Sequence, residues 1–447
     1  MTYNSRMKRE LLHKLIEWKA SHYRKPLILT GIRQCGKTFI LRHFGDNYFP
    51  KVHYFNFEKE QNLNVIFEHN LKPGRIINEL SYKIGQEINI EQDLIIFDEI
   101  QACPLALTSL KYFYEDMPNL HLCGAGSLLG VALNHVSFPV GKVTHLQLYP
   151  MSFNEFLLAI GQEQLYKLLK QTNFDTEIPE LAHQKLWEVM QWYWITGGLP
   201  EVVKTFSENQ ENLFQAFTKS RKKQEDLIFT YYGDIAKHSG KVNAMHIDRV
   251  WKDVSKQLSK SQDTSVNKFK FKGIIPGIDR YSRLAGAIDW LVASGLIIKV
   301  PIINNAELPL SAYTQESKFK CFMADVGILG AISDLPFQAI LNYNFGTYKG
   351  FFAENFVAQE LLAAKGNNFY SWQDNRHEVE FVIQDNELIL PIEVKSGKIT
   401  KAISLQKFKD KYKPKYISIM SGHNLNIDKK NHICRYPLYL AGKFPLK

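Results

Sequence analysis

Apolar and polar positions along the first 130 residues follow two alternating periods. Short apolar runs, KPLILTG (25–31), DLIIFDE (93–99) and LHLCGAGS (120–127), end on glycine, acids or small residues, and VHYFNFE (52–58) alternates as a strand does. Helical spacing separates them, and an amphipathic helix is expected over 4–21, with Met7, Leu11, Leu12, Leu15, Ile16 and Trp18 broadly on one side. Strand–helix alternation of this kind predicts an α/β fold with a parallel sheet covered on both faces. From Ser152 to about Phe217 the pattern is helical, broken by a turn at TGGLPE (196–201). After a polar, basic stretch over 219–272 come a helix (YSRLAGAIDWLV, from 281), a break at Gly295, a strand (LIIKVPII, 296–303), a turn (NNAELP, 304–309) and a second strand (SAYTQ, 311–315). Helix, strand, turn, strand is the outline of a winged helix. Beyond Gly346 a further α/β unit is expected: a helix over 350–364, strands FYSW, EVEFVI and ILPIEVK, a helix near 401–412 and the strand YISIM (416–420).

A chain of 447 residues is too long for one hydrophobic core. Its 45% hydrophobic and 22% charged residues exclude disorder as the main state. The net charge of +10 points to an anionic partner. That surplus is local. Residues 219–272 hold 13 Lys+Arg against 6 Asp+Glu, and residues 395–415 hold 8 Lys against 1 Asp, so the rest of the chain is slightly acidic. Both stretches are candidate contacts to a nucleic-acid backbone, DNA foremost. No apolar run approaches the ~18 residues of a membrane helix. The N-terminus lacks the apolar stretch of a secretory signal. Cys35, Cys103, Cys123, Cys321 and Cys434 form no C-x-x-C pair, which argues against a zinc site or disulfide framework and for a reducing, cytoplasmic location.

Gly31-Ile32-Arg33-Gln34-Cys35-Gly36-Lys37-Thr38 fits the phosphate-binding pattern G-x-x-x-x-G-K-[ST] at every position. It follows an expected strand and precedes an expected helix (FILRHF, 39–44), so its backbone N–H groups and the helix N-terminus would cradle phosphates. Gly36 allows close approach, Lys37 reaches the β- and γ-phosphates, and Thr38 holds Mg²⁺. Asp98 and Glu99 end an apolar strand 61 residues after Lys37. Asp98 is expected in the Mg²⁺ shell, with Glu99 polarising the attacking water. Ser127 is a candidate sensor of the γ-phosphate, and Lys142 a candidate cation towards the phosphates. Cys35 has no identifiable base beside it, so its backbone rather than its thiol is expected to serve.

A second constellation lies near the C-terminus. Glu380 falls in EVEFVI, and Glu393 and Lys395 fall in ILPIEVK. Residues i and i+2 of a strand share a face, and a hairpin places Glu380 beside Glu393 and Lys395. Glu354, Glu380 and Glu393 are candidate ligands of a divalent metal, with Lys395 activating water against a phosphodiester.

With these residues in view, the chain resembles a group of bacterial and archaeal AAA-type ATPases whose C-terminal domain, of unknown function, has a PD-(D/E)xK nuclease-like fold. The resemblance rests on LTGIRQCGKT, LIIFDEIQACPLALTSLKYF, CGAGSLLGVAL, SFPVGKVTHLQLYPMSFNEFL, GGLPEVV, FMADVGIL, FFAENFVAQEL, YSWQDNRHEVEFVI and LPIEVKSGK, in order along nearly the whole chain. It implies an ATPase core over 1–150, a helical lid over 151–218, a basic linker and winged-helix-like domain over 219–335, and a nuclease-like domain over 340–447. Lys37, Thr38, Asp98 and Glu99 then fall on the ATP site, and Glu354, Glu380, Glu393 and Lys395 on the nuclease-like motif. The family shows Asp where this chain has Glu380, one methylene longer.

The leading functional expectation is an Mg²⁺-dependent ATPase that binds nucleic acid, extending to an ATP-controlled, metal-dependent DNA endonuclease. The alternative is a regulatory NTP switch whose nuclease-like domain is inactive and only binds DNA or a protein. A third is membrane-surface or ribosomal association through the basic stretches. An AAA-type core also raises a homo-oligomer, although no arginine finger is identifiable.

Overall fold

The computed structural model describes residues 7–127, 139, 141–260, 268–397 and 402–446. It divides into two units, Arg9–Tyr149 and Met1–Lys8 with Pro150–Lys447.

In the first unit, strands β1 (Leu27–Thr30), β2 (Val52–Asn56), β3 (Leu94–Asp98), β4 (His121–Gly126) and β5 (Thr144–Gln147) form a parallel sheet in the order β2-β3-β4-β1-β5. β3 and β4 are buried at every position, as expected of parallel strands covered on both faces. Phe97 of β3 sits at the centre of one face, its ring 5.4–6.4 Å from those of Phe55, Phe57, Phe67 and Phe113. β5 was not legible in the sequence, because its four residues (THLQ) are at most half-buried and carry no apolar run. The first helix is shorter than its periodicity suggests. It spans Leu11–Ala20 and buries Leu15 and Trp18, while residues 4–6 of the expected helix lie outside the described residues.

The second unit opens with helices and closes with a mixed sheet. The strands are β6 (Ile297–Ile303), β7 (Thr314–Met323), β8 (Phe369–Asp374), β9 (His377–Asp385), β10 (Leu388–Val394), β11 (Ile417–Ser421), β12 (Asn426–Asp428) and β13 (Ile433–Pro437), ordered β12-β13-β11-β10-β9-β8-β6-β7. The expected helix–strand–turn–strand is present as the helix Tyr281–Ala293 followed by β6 and β7. It does not stand apart as a winged-helix tip. β6 pairs in parallel with β8 at Ile302↔Ser371 and Ile303↔Trp372, so the hairpin joins the sheet expected over 340–447. β7 begins at Thr314 and runs on to Met323, well past the anticipated 311–315. The basic stretch 219–272 is mostly two helices, Leu213–His238 and Lys241–Lys260.

The helix Tyr348–Lys365 is buried without a break from Phe351 to Leu361. A helix enclosed on all sides must pair every polar side chain it carries. Asn355 bridges the backbone of Met323, accepting from its N–H at 2.8 Å and donating to its carbonyl at 3.0 Å. Gln359 accepts from Val326 N–H and donates to the Tyr193 hydroxyl, both at 2.8 Å. Glu360 accepts from Phe153 N–H at 2.9 Å.

Beside it, Asp325 caps the helix Val326–Ile332, accepting from Ile328 N–H at 3.0 Å and from Gly198 N–H at 2.6 Å. Gly197 has φ 74°, and a Cβ there would lie 2.1 Å from Asp325 Oδ1, so the TGGLPE turn admits only glycine at this position.

Burial pushes the Asp325 carboxyl up to about 6, against the backbone N–H groups that favour its charge. The folded chain therefore holds this proton to higher pH than the unfolded chain does. Stability from this group falls as pH rises from about 4 to about 6, by about 3 kcal/mol in total. Unfolding followed by Trp fluorescence reports mainly on this unit, which carries six of the seven tryptophans. Asp325→Asn is expected to gain on the wild type by that amount between pH 4 and 7; a pH-independent difference would contradict the assignment.

Candidate functional site

The phosphate-binding loop follows β1 and runs into the helix Lys37–Tyr48. Gly36 precedes that helix with φ 95°, a left-handed conformation that favours glycine. Lys37 is buried, and its ammonium donates to the carbonyls of Gly31 at 2.9 Å and Ile32 at 3.0 Å. The loop is anchored from outside by Arg9, which donates to the carbonyls of Cys35 at 2.8 Å and Tyr149 at 2.6 Å. The Cys35 side chain is buried within the loop. All five cysteines are buried with free thiols.

Asp98 closes β3, beside which β4 separates it from β1. The Thr38 hydroxyl donates to Asp98 Oδ2 at 2.7 Å, so the two residues expected to share Mg²⁺ meet across the sheet. The same oxygen accepts from the Tyr54 hydroxyl at 2.6 Å. Burial and this bond push the Tyr54 phenol up to about 12. Asn56 donates to the Tyr54 oxygen at 3.1 Å, and the Arg42 guanidinium lies 4.0 Å from its ring centre. Glu99 sits at φ 49°, its carboxylate held by the Gln101 amide at 2.6 Å. Ser127 follows β4 and is buried, in the strand position between those carrying the loop and Asp98.

Lys142 does not belong to this site. The loop leaves β1 after Thr30, whereas Lys142 precedes Thr144, which pairs with Leu27 at the other end of the strand. It forms an ion pair with Glu115 at 3.2 Å and lies 5.2 Å from the Tyr114 ring centre. Arg9 and Tyr54 are the contributors sequence reading missed. Neither falls in a motif, and only the fold brings them to the loop and to Asp98.

The second constellation assembles on β9, β10 and the buried helix. The Lys395 ammonium pairs with Glu393 Oε1 at 2.6 Å, and Glu380 accepts from Val394 N–H at 3.2 Å. The expected hairpin neighbours thus do meet. Two partners were not anticipated: Lys320, from β7, is buried and pairs with Glu354 at 3.3 Å and with Glu378. Burial pushes the Glu354 carboxyl up to about 7, and burial with the Glu393 charge raises Glu380 well above the carboxylate range. Burial alone would lower the Lys320 ammonium, but Glu354, Glu378 and Glu380 together hold it far above its ordinary value. Glu393 Oε2 is buried without a hydrogen-bond partner. The open trio of Glu354, Glu380 and Glu393 expected as metal ligands is not what the structure presents. Among the described residues no three His, Cys, Asp or Glu side chains converge to hold a metal, and Lys320 and Lys395 pair with carboxylates of this face.

Part of the basic surplus is already paired within the chain. Arg221 donates to the Leu335 carbonyl at 3.2 Å, and Lys223 and Lys252 form ion pairs with Glu201 and Asp248. Lys222, Arg249, Lys268 and Lys270 are exposed, as are Lys407, Lys411, Lys413 and Lys415 around the helix Ile403–Tyr412. Lys398 and Lys401 lie outside the described residues. Among the described residues no helix is long and apolar enough to cross a membrane.

Residues 23–157 match the family model for an AAA domain. Residues 188–339 and 349–439 match two domains of unknown function, DUF8612 and DUF4143. No curated protein matches the chain. Solved structures similar to it include the Aeropyrum pernix ORC1 protein in complex with DNA, at 14% identity over 75% of this chain and 93% of that one, with a TM-score of 0.29. A Thermotoga maritima RuvB variant is 13% identical over 67% and 90%, with a TM-score of 0.30. AMPPCP-bound DnaA from Aquifex aeolicus is 17% identical over 62% and 85%, also at 0.30. The parallel sheet, the complete phosphate-binding loop and the family match agree that residues 23–157 of this chain form an AAA-type domain with a P-loop, followed by two matched domains of unknown function.

Proposed function

We propose that this protein hydrolyses ATP in a Mg²⁺-dependent manner and binds nucleic acid through its second unit. The observation that carries the ATPase reading is the 2.7 Å bond between Thr38 and Asp98 beside the Lys37 loop. It sets a hydroxyl and a carboxylate side by side, the donor pair that suits Mg²⁺ on a bound triphosphate. When bound, the ion would draw charge from the phosphate oxygens. Lys37 would release its loop carbonyls to meet the β- and γ-phosphates, Glu99 would orient and deprotonate water, and Tyr54 would hold Asp98 in place. The exposed lysines and arginines of 219–272 and 395–415 support nucleic-acid binding, DNA foremost. An AAA-type core also suits a homo-oligomer.

For the acidic face of the second unit, the non-cleaving alternative is favoured. Metal-dependent cleavage would need Glu354, Glu380 and Glu393 to share an ion beside Lys395, and Lys320 already pairs with that face. In this reading the protein is an NTP-controlled binder.

Lys37→Ala and Glu99→Gln are each expected to lower ATP turnover by at least ~100-fold, with Glu99→Gln still binding nucleotide. Tyr54→Phe, which removes one hydrogen bond to Asp98, is expected to cost about tenfold. Turnover measured with and without Mg²⁺ checks all three, and Mg²⁺-independent hydrolysis would count against the site. Affinity for a DNA duplex is expected to fall linearly with salt on logarithmic axes. Neutralising Lys268 and Lys270 together should reduce the slope by about two. Salt-insensitive binding would remove the nucleic-acid reading.

A further inference from the structure

The acidic face of the second sheet brings four carboxylates, Glu354, Glu378, Glu380 and Glu393, towards two ammonium groups, Lys320 and Lys395. Three of the carboxylates come from β9 and β10, Lys395 directly follows β10, and Glu354 comes from the buried helix. Lys320 comes from β7, in the segment 188–339, whereas every one of its partners lies in the segment 349–439. Its side chain is about 5% exposed. The hairpin that carries it is fixed by the β6–β8 pairing and by Asn355, which holds Met323 three residues away.

A divalent ion needs a set of carboxylate oxygens free to close round it at roughly 2.0–2.6 Å. Here Glu354 and Glu378 are already joined through one ammonium, at 3.3 Å from Glu354 and in direct contact with Glu378. A metal entering between them would meet that fixed positive charge at short range in a buried site, where repulsion is weakly screened. Lys395 occupies one oxygen of Glu393 and leaves the other, Oε2, as the buried acceptor without a partner.

We propose that Lys320 is a built-in cation in the place of a divalent metal, so that this face is a metal-free ionic clasp fastening the β6–β7 hairpin to the β8–β10 part of the sheet. This deepens the non-cleaving reading of the face by naming what stands where a metal would act.

The test is Mn²⁺ binding to the full chain without nucleotide, counted from the loss of the free Mn²⁺ signal in electron paramagnetic resonance. Glu393→Gln removes the carboxylate that holds the open acceptor. Wild type and Glu393→Gln are expected to bind the same amount of Mn²⁺, since sites elsewhere contribute equally to both. Lys320→Met is expected to gain one Mn²⁺ per chain that the double variant Lys320→Met/Glu393→Gln loses, and Lys320→Arg to gain none. Mn²⁺ binding by the wild type that Glu393→Gln abolishes overturns the proposal, as does a folded Lys320→Met that gains no site. The wild-type comparison decides the matter even if Lys320→Met does not fold. A nicking assay on the same proteins separates the two readings. Glu393-dependent Mn²⁺ without cleavage rejects the lysine assignment alone, and Glu393-dependent cleavage rejects both.

Discussion

The second unit depends on a demand for polar satisfaction inside one helix. Tyr348–Lys365 is buried on every side, yet it carries Glu354, Asn355, Gln359 and Glu360 in its enclosed part. Leaving any of them unpaired would cost more than a hydrogen bond contributes, so each position selects a partner from another segment. Glu354 takes Lys320, Asn355 takes the backbone of Met323, Gln359 takes Val326 and Tyr193, and Glu360 takes Phe153. The segments so gathered are the hairpin, the start of the helix Val326–Ile332 and the helices following Pro150. Asp325, bonded to Gly198 and capping that helix, extends the network to the glycine turn. Apolar packing supplies most of the driving force, but these pairings select which elements meet.

The same accounting governs the nucleotide site, with the sign of the problem reversed. There the fold brings cations and donors together ahead of an anion. Lys37 is held on the loop carbonyls, Arg9 clamps the loop from outside, and Asp98 accepts from both Thr38 and Tyr54. Thr38, Asp98 and the loop are thus held by hydrogen bonds without any ligand, which is the sense in which the site is preorganised. On the acidic face of the second unit, a buried lysine already compensates the carboxylates. In the first site a lysine and a hydroxyl are bonded to loop carbonyls and to Asp98, and in the second lysines are bonded to carboxylates.

How far the sequence was legible follows from the range over which each signal acts. β1, β3 and β4 were readable because a strand buried on both faces must be a short apolar run, and β2, at the edge of the sheet, was readable from its alternation. β5, half-buried and polar, left no such trace and was located only by its pairing with β1. The helix, strand, turn and strand over 281–323 were readable as local elements, but their membership in the second sheet rests on two residue pairs between β6 and β8. A hairpin carries no sequence mark of which sheet it will join. Lys142 stood beside a motif segment and still lies at the far end of β1 from the loop.

By itself the sequence determined the phosphate-binding loop, the acidic pair at β3, the absence of cysteine pairing motifs and the placement of Glu380 and Glu393 on adjacent strands, with Lys395 two residues beyond Glu393. Each is set by contiguous residues or by the two-residue repeat of a strand, so covalent connectivity is enough to establish it. Only the tertiary structure decided that Tyr54 supports Asp98, that Arg9 holds the loop and that Lys320 enters the acidic face. Those contacts join residues 44, 26 and 34 positions apart. No local pattern encodes such distances; they arise when buried polar groups, excluded from water, are left with one another as partners.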